Sequence, residues 1–223
     1  MPEAMGFFTD TTICIGCKAC EVACKNWNQL PATNGGVSEL SGDSYDNTRK
    51  LDGTHWRHVK FIEQFEGPYN GRWLMMSDVI DMNPAAGTAQ KCTLCYDRMQ
   101  VGLEPACAKA CPTDSIQFGP IAELRTRAQK RVDQLKAQGE KRARLYGDDP
   151  NGPLGGLNSF YLLVDEPEVY GLPRDPKLPS RNLKSSGVLS AATGAVLGLV
   201  ALVGLRKRRM DEIGGGGERG SEN

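Results

Sequence analysis

Eight cysteines are the residues of this 223-residue chain whose type and spacing suggest chemistry, and they fall into two short groups. The first group has the spacing C-x2-C-x2-C-x3-C, and its members are Cys14, Cys17, Cys20 and Cys24. The second has the spacing C-x2-C-x11-C-x3-C followed by a proline, and its members are Cys92, Cys95, Cys107 and Cys111. No cysteine is left over, and the second group is the first with a longer middle segment. The chain therefore carries an internal repeat of a unit whose thiolates can bind metal.

This spacing is typical of cubane iron–sulfur clusters. A gap of two residues lets one loop wrap a cluster closely enough to present three thiolates. The fourth cysteine follows after three intervening residues, where the chain has turned into a helix, so it points away and reaches the other cluster, as in two-cluster bacterial ferredoxins. We therefore predict two [4Fe–4S] clusters that exchange one ligand each. One is held by Cys14, Cys17, Cys20 and Cys111, and the other by Cys92, Cys95, Cys107 and Cys24.

Disulfides and zinc are the alternatives for these thiols. Cysteines two or three residues apart have poor geometry for pairing, and a chain of this length and charge does not need a disulfide scaffold. Structural zinc sites also use C-x2-C pairs, but usually two separated pairs, whereas here a third cysteine follows directly and Pro112 closes the second group. The spacing thus favours clusters over zinc. A cluster-bearing sensor and a membrane-anchored structural zinc protein remain the hypotheses from a non-conducting class.

Charge and the two histidines narrow the function further. The chain has 27 basic and 27 acidic residues, and this balance argues against a nucleic-acid binder. An excess of positive charge within residues 121–146 suits an acidic protein partner or anionic lipid, and it is equally typical of a solvated helix face.

His55 and His58 lie beside Trp56 and could bind haem or metal. We predict instead that they are hydrogen-bonded surface histidines, and we do not assign them as ligands.

The elements that position the cysteines are predicted to repeat as well. A strand at residues 6–9 enters the first group, and a helix at residues 21–30 leaves it and stops before Pro31. A helical turn at residues 104–111 and a strand at residues 115–118 do the same for the second group. The two cysteine groups are therefore expected to lie in one domain.

An insertion is predicted between the two halves of this domain. Residues 31–55 are rich in Gly, Ser, Asn, Asp and Thr, which is loop composition, and we expect them on the surface. Apolar alternation at residues 56–65 and an apolar run at residues 73–80 predict a β-hairpin. Residues 81–90 are predicted to form a short Pro/Gly/Ala connector.

A long helix is predicted after the second group, starting at Pro120 and weakening or ending near Gly139. Its apolar residues recur three and four positions apart and should pack on the domain. They are Ile121, Leu124, Ala128, Val132 and Leu135. After a flexible link at residues 147–156, residues 160–164 predict an edge strand. The prolines between residues 167 and 179 predict an extended arm that lies along this domain or a partner.

Residues 187–205 contain no charge and are long enough to span a bilayer. The basic run RKRR at residues 206–209 is typical of a cytoplasmic flank, and fewer basic residues precede the apolar stretch. We therefore predict a single-pass protein of the cell membrane with a cytoplasmic C-terminus and the cluster domain on the outer face. The start MPEAMGFF lacks the basic and apolar regions of a secretory signal peptide, so export would need another chain's signal. Residues after Met210 are predicted to be disordered.

These predictions define an α+β fold with a ferredoxin-like two-[4Fe–4S] domain, an inserted β-hairpin, a C-terminal helical and extended arm, and one C-terminal transmembrane helix. The predicted division is a dicluster domain at residues 1–30 and 88–120, an insertion at residues 31–87, a helix and extended arm at residues 121–186, a transmembrane helix at residues 187–205, and a basic flank with a tail at residues 206–223.

The sequences around the cysteines resemble the iron–sulfur (beta) subunit of formate dehydrogenases. The stretches are CIGCKACEVACKNWN at residues 14–28, KCTLCYDR at residues 91–98 and GLEPACAKACP at residues 102–112. The similarity also runs through residues 56–79 and 171–173, so it covers most of the chain outside the predicted membrane helix.

The resemblance implies an electron-transfer subunit that is not catalytic alone. A separate catalytic subunit with a molybdenum or tungsten pterin would oxidise formate, and the electrons would pass singly toward a membrane cytochrome b or quinone-reactive partner. Family members normally carry four cysteine groups and four clusters, and this chain matches the first and the last, which share ligands in one ferredoxin-like unit. Related beta subunits serve nitrate, dimethyl sulfoxide and polysulfide reductases, so another molybdopterin oxidoreductase is the alternative.

Overall fold

The computed structural model describes residues 3–31, 45, 48, 51, 53–65, 72–78, 81–83, 88–90, 92–176 and 183–214. Within these residues the strands are β1 (Met5–Asp10), β2 (His58–Gln64), β3 (Arg72–Asp78), β4 (Asp81–Asn83), β5 (Thr88–Gln90), β6 (Ile116–Pro120), β7 (Arg144–Tyr146) and β8 (Ser159–Leu163). The helices are α1 (Ala19–Trp27), α2 (Tyr96–Gln100), α3 (Ala106–Lys109), α4 (Ile121–Ala137) and α5 (Leu183–Gly214), with a 3-10 helix at Pro167–Tyr170. This mixed content confirms the predicted α+β class. The chain divides into two compact units, Met1–Pro176 and Lys177–Asn223.

A four-stranded sheet in the order β6-β1-β8-β7 organises the first unit. β1 pairs antiparallel with β6 and parallel with β8, so it lies inside the sheet. Phe7 and Phe8 are consecutive on β1 and therefore point to opposite faces. Phe7 packs with Cys20 and Cys107 in one apolar cluster, whereas Phe8 packs with residues of α4 in another. The sheet thus carries the cysteine loops on one face and α4 on the other.

The long helix predicted after Pro120 is present as α4, and the residues it buries are those of the predicted stripe. Pro120 occupies the N-cap position, where its missing N–H leaves no helical hydrogen bond unmade. The helix ends at Ala137, shortly before Gly139, whose φ of +100° suits glycine and cannot continue a helix. An ion pair between Arg131 Nε and Asp10 Oδ2, 2.9 Å apart, ties α4 to the end of β1.

β8 lies between β1 and β7, so the prediction of an edge strand at residues 160–164 is wrong. Its side chains Phe160, Leu162 and Leu163 are all buried, and such an apolar run is typical of a strand covered on both faces. The outer neighbour, β7, is three residues long, which is too short for an alternation to show in the sequence.

The proline-rich arm begins as a 3-10 helix that packs on the first unit. Tyr170 is 1% exposed, and its hydroxyl accepts a hydrogen bond from the Val164 N–H at 3.3 Å. The Tyr146 hydroxyl donates to the Pro173 carbonyl at 3.0 Å. This part of the arm therefore lies along its own domain, although its start is helical and not extended. Pro179 lies outside the described residues.

The predicted hairpin is present as β2 and β3, which pair antiparallel over their whole length. The prediction for residues 81–90 is wrong in part, because β4 and β5 pair antiparallel there. Each of these strands is three residues long, which is too short to show a period in the sequence. Most of residues 31–55 lies outside the described residues, but Leu51 is buried and not on the surface as expected.

The second unit contains one helix among its described residues, α5. Its segment Ser186–Met210 is long and apolar enough to cross a membrane, and none of its apolar window is buried inside the protein. This agrees with the apolar helix predicted at residues 187–205. The helix continues to Gly214, so the prediction of disorder is wrong for residues 211–214, which contain no helix-breaking residue before that glycine. Residues 215–223 lie outside the described part.

Candidate metal centre

None of the eight predicted ligands forms a disulfide. Cys14, Cys20, Cys107 and Cys111 belong to the apolar cluster around Phe7, on the sheet face opposite α4. The eight cysteines differ in their exposure to solvent. Cys17 is exposed, whereas the buried thiols are Cys20, Cys24, Cys95 and Cys107.

The two cysteine loops share one backbone feature, a left-handed residue just before the second cysteine. Gly16, just before the second cysteine of the first loop, has a φ of +66°. A Cβ there would lie 2.6 Å from Phe61 Cε1 and 2.7 Å from Met75 Sδ, so the β2–β3 hairpin lies directly on this loop. At the equivalent place in the second loop, just before Cys95, Leu94 has a φ of +59°. The two loops therefore match in conformation at this position, but the next left-handed residue is Lys18 in the first loop and Cys95 in the second.

The thiols near Cys24 come from the second cysteine group. Burial raises the pKa of Cys24 to about 12. The Arg57 guanidinium opposes this rise, and the thiols that add to it are those of Cys107, Cys92 and Cys95. Burial likewise raises the pKa of Cys95, and Cys107 and Cys92 raise it further. The structure thus brings Cys24 together with three thiols that lie about seventy or more residues later in the chain.

The last thiol of the second group is near the first loop. Burial raises the pKa of Cys14, a hydrogen bond from the Gly16 backbone lowers it, and the thiols of Cys111 and Cys17 raise it. Cys20 lies in the same apolar cluster as Cys14 and Cys111. The structure therefore brings Cys111 to the thiols of the first group.

Several N–H groups point at these sulfurs. Arg57 Nη2 donates to Cys107 Sγ at 3.1 Å. The Leu94 backbone N–H lies 3.3 Å from Cys92 Sγ. The Asn28 side-chain amide, at 3.6 Å, points at a third sulfur, that of the last cysteine of the first group. Such donors stabilise thiolates and help to set the potential of a cluster.

The donor set suits clusters better than single ions. Within the described ranges, no three His, Cys, Asp or Glu side chains lie close enough to hold one metal ion. A structural zinc ion needs four ligands at about 2.0–2.3 Å from the metal. A cubane cluster instead gives each thiolate its own iron corner, so it suits thiols that are spread more widely.

Two buried charged residues beside the thiols are not revealed by the cysteine spacing. Arg57 is 4% exposed. Glu21 accepts hydrogen bonds from the Val59 N–H and from the Thr48 hydroxyl, the latter at 2.8 Å. Burial raises the pKa of Glu21, but hydrogen bonds from His58, Val59 and Thr48 outweigh it, so this pKa is lowered overall. In the sequence, the one signal that Glu21 is buried is its position on the face of α1 that also carries Cys20 and Cys24.

The histidines differ in how well they match the prediction. His55 is hydrogen-bonded as predicted, with Nδ1 3.0 Å from Thr54 Oγ1 and Nε2 3.1 Å from Lys25 Nζ. His58 is 4% exposed, so its predicted surface position is wrong. Its side chain lies at the start of β2 with Nδ1 3.4 Å from Glu21 Oε1, so it faces α1 and not solvent.

Comparison with known proteins identifies relatives over most of the chain. A 4Fe–4S dicluster domain family matches residues 77–121, which include the whole second cysteine group. The chain is 33% identical to a formate dehydrogenase iron–sulfur subunit of Haemophilus influenzae, over 86% of this chain and 76% of that protein. It is 32% identical to the nitrate-inducible formate dehydrogenase iron–sulfur subunit of Escherichia coli, over 87% of this chain and 81% of that protein. It is also 29% identical to the B subunit of the anaerobic dimethyl sulfoxide reductase of E. coli, over 56% of this chain and 78% of that protein.

These relatives confirm the resemblance stated from the cysteine stretches. They are subunits of oxidoreductases by name, which implies a catalytic subunit as the partner of this chain. The family match and the relatives together support [4Fe–4S] clusters as its cofactors. The chain belongs to the family of formate dehydrogenase iron–sulfur subunits and is an electron-transfer subunit of an oxidoreductase.

Proposed function

We propose that this chain relays single electrons through two [4Fe–4S] clusters in a membrane-associated formate dehydrogenase complex. Its donor would be a molybdenum or tungsten pterin subunit that oxidises formate, and its acceptor a membrane cytochrome b or quinone-reactive subunit. When bound, the clusters supply the one-electron carriers. The chain supplies thiolates, N–H donors and buried charges, and it excludes water from the buried thiols.

The grouping of the thiols carries this proposal. Cys24 lies with the thiols of the second group, and Cys111 lies with those of the first. This supports the exchanged ligand sets, Cys14, Cys17, Cys20 and Cys111 for one cluster and Cys92, Cys95, Cys107 and Cys24 for the other. Each loop would then serve both clusters and hold them at a fixed, short separation.

The relay is proposed to be shorter than in the family at large. The alignment with the H. influenzae subunit runs over 246 residues, more than the 223 residues of this chain, so it contains gaps on this side. Those gaps support the loss of two cysteine groups.

Cys17 is the exposed cysteine, and the nearby Ile15 is exposed as well. We therefore expect a partner to approach the clusters most closely at this edge.

Anaerobic purification of the full chain with its partner subunits tests the proposal. We expect about eight iron and eight sulfide per chain, and EPR signals on reduction. Formate should reduce the clusters in the complex, and dithionite serves as the control that reduces them without the catalytic subunit. Zinc without sulfide would exclude electron transfer by this chain. Clusters that respond to dithionite but not to formate would exclude formate as the substrate.

A second candidate is the electron-transfer subunit of another molybdopterin oxidoreductase. The similarity to the B subunit of the anaerobic dimethyl sulfoxide reductase favours it, although it covers less of the chain. In such a complex the electrons would run from the membrane partner through the clusters to the catalytic subunit. Dimethyl sulfoxide would then reoxidise clusters that had been reduced by dithionite, and formate would have no effect.

We further propose that α5 crosses the membrane once, with the C-terminus in the cytoplasm and the cluster unit on the outer face. The basic residues after the apolar segment support this orientation, because such residues are retained on the cytoplasmic side. A C-terminal fluorescent-protein fusion should be fluorescent, and a C-terminal alkaline phosphatase fusion should be inactive. The reverse pattern would place the cluster unit in the cytoplasm.

A further inference from the structure

A buried arginine lies between the two cysteine groups. Arg57 belongs to the segment just before β2, and its Nη2 donates to Cys107 Sγ at 3.1 Å. Cys20, from the other group, is close enough for its charge to act on the same guanidinium. One fixed positive charge therefore faces a thiol of each cysteine group.

Packing holds this charge in place and keeps water away from it. Arg57 is 4% exposed, and its Cζ lies 5.6 Å from the centroid of the Phe7 ring. Phe7 in turn packs with Cys20 and Cys107. Two residues further along the chain, the Val59 N–H donates to the carboxylate of Glu21, which directly follows Cys20. The backbone beside Arg57 is thus fastened to the helix that carries a ligand of the first group.

A charge in this position has a defined effect on electron transfer. A reduced cluster carries one more negative charge than an oxidised one. A nearby positive charge therefore lowers the free energy of the reduced state more than that of the oxidised state, and a hydrogen bond to a ligand sulfur acts in the same direction. Because both thiols are buried, the interaction is screened less than at the surface.

We propose that Arg57 raises the reduction potential of both clusters, with the larger effect on the cluster bound by Cys107. This inference rests on the proposed function, because it requires two clusters. It does not depend on the exchange of ligands, since Cys20 and Cys107 bind different clusters with or without that exchange.

The test compares two replacements in the full chain within its complex. Arg57→Gln keeps an N–H donor and removes the charge, whereas Arg57→Lys keeps the charge. EPR-monitored redox titration should show that Arg57→Gln lowers the reduced-to-oxidised ratio of the Cys107-bound cluster at least about tenfold at fixed ambient potential, which is about 59 mV for a one-electron couple. The other cluster should shift in the same direction by a smaller factor. Arg57→Lys should keep both ratios within about threefold of the wild type, because the charge is retained.

Arg142 offers a matched control. Its side chain is 30% exposed, and its guanidinium pairs with Asp165, with Nη1 2.6 Å from Oδ1. Arg142→Gln should leave both potentials unchanged. Unaltered potentials in Arg57→Gln with full iron content would overturn the proposal, and so would equal shifts in Arg57→Gln and Arg57→Lys.

A measurement on the wild type covers the case in which Arg57→Gln fails to assemble. In protein labelled with 15N-arginine and reduced, pulsed EPR should detect a coupling to an arginine nitrogen, and the labelled Arg57→Lys protein should lack it. If the reduced wild type shows no such coupling, the proposed role of Arg57 is overturned and the proposed function is not. A wild type without iron and sulfide would overturn the proposed function and this role together.

Discussion

At the scale of residues, the second cysteine loop contains two consecutive non-glycine residues in a left-handed backbone conformation. Leu94 and Cys95 have φ values of +59° and +49°. Each such residue costs on the order of 1–3 kcal/mol and persists only where its surroundings fix it. Here the Leu94 side chain packs in the apolar cluster around Phe7, and its N–H points at Cys92 Sγ. The strained conformation of Leu94 therefore directs its N–H toward the sulfur of a candidate ligand.

The proposed exchange of ligands leads to a prediction for Cys111→Ser. Because Cys111 lies near Cys14, this change should remove the cluster of the first loop and roughly half of the iron, and leave the other cluster reducible. Iron analysis and EPR of the reduced protein provide the measurement. The spectrum should match that of Cys14→Ser. A match with Cys92→Ser would show that each group binds its own cluster.

At the scale of elements, the β2–β3 hairpin covers the first cysteine loop. Phe61 and Met75 are paired across the two strands and both contact the place where a Gly16 side chain would be. Lys18, in the same loop, lies 5.7 Å from the centroid of the Phe61 ring, and the hydrogen bond from Val59 to Glu21 fastens β2 to α1. The insertion between the two cysteine groups is therefore part of the wall of the candidate metal centre.

We predict that Gly16→Ala weakens the first loop more than backbone strain alone would. A non-glycine residue in a left-handed conformation costs about 1–2 kcal/mol, and here the new methyl group also collides with the hairpin. Gly102→Ala is the matched control, because Gly102 has a φ of +75° but a Cβ added there would have no neighbouring atom within 4 Å. Thermal unfolding monitored by circular dichroism should show a midpoint lowered by about 2–8 °C for the control and by more for Gly16→Ala.

Iron content completes this comparison. Gly16→Ala should also lose iron from the first loop, whereas Gly102→Ala should keep it. Equal midpoints and equal iron in the two variants would contradict the close contact between the hairpin and the loop.

Elements with a clear period could be predicted from sequence, and the others could not. The stripe of α4 and the alternation of β2 are local patterns, and the cysteine spacing alone indicates all eight thiols. β7 and β4 are three residues long, so they have no period to detect. The central place of β8 depends on pairing with a strand from the start of the chain, which no local pattern encodes. For the same reason the spacing of the cysteines does not reveal Arg57, because its inward direction is set by tertiary packing.

At the scale of the whole molecule, the cysteines and the apolar helix lie in different units. Every cysteine belongs to the unit Met1–Pro176, and α5 belongs to the unit Lys177–Asn223. The sheet and the two apolar clusters that surround the cysteine loops use residues of the first unit. The cluster-binding unit should therefore not need α5 for its own folding.

Truncation after Ser186 tests this separation in protein expressed without its partners. The shortened chain should stay in the supernatant after ultracentrifugation and keep its iron, because it has lost the apolar segment and none of the first unit. Truncation after Gly214 is the control and should still sediment with the membranes. Membrane attachment of the shorter chain would show that another surface holds it there.

The position of β1 between β6 and β8 also fixes the order of events during biosynthesis. The Thr11 hydroxyl donates to the Leu162 carbonyl, 151 residues later in the chain. At a synthesis rate of about 5–20 residues per second, the N-terminal strand waits roughly 8–30 s for this neighbour to leave the ribosome. For much of that interval the second four thiols have not been made, so neither of the proposed ligand sets is complete. Insertion of the proposed clusters therefore has to wait for the second cysteine group, and we expect the cell to keep the nascent thiols reduced until then.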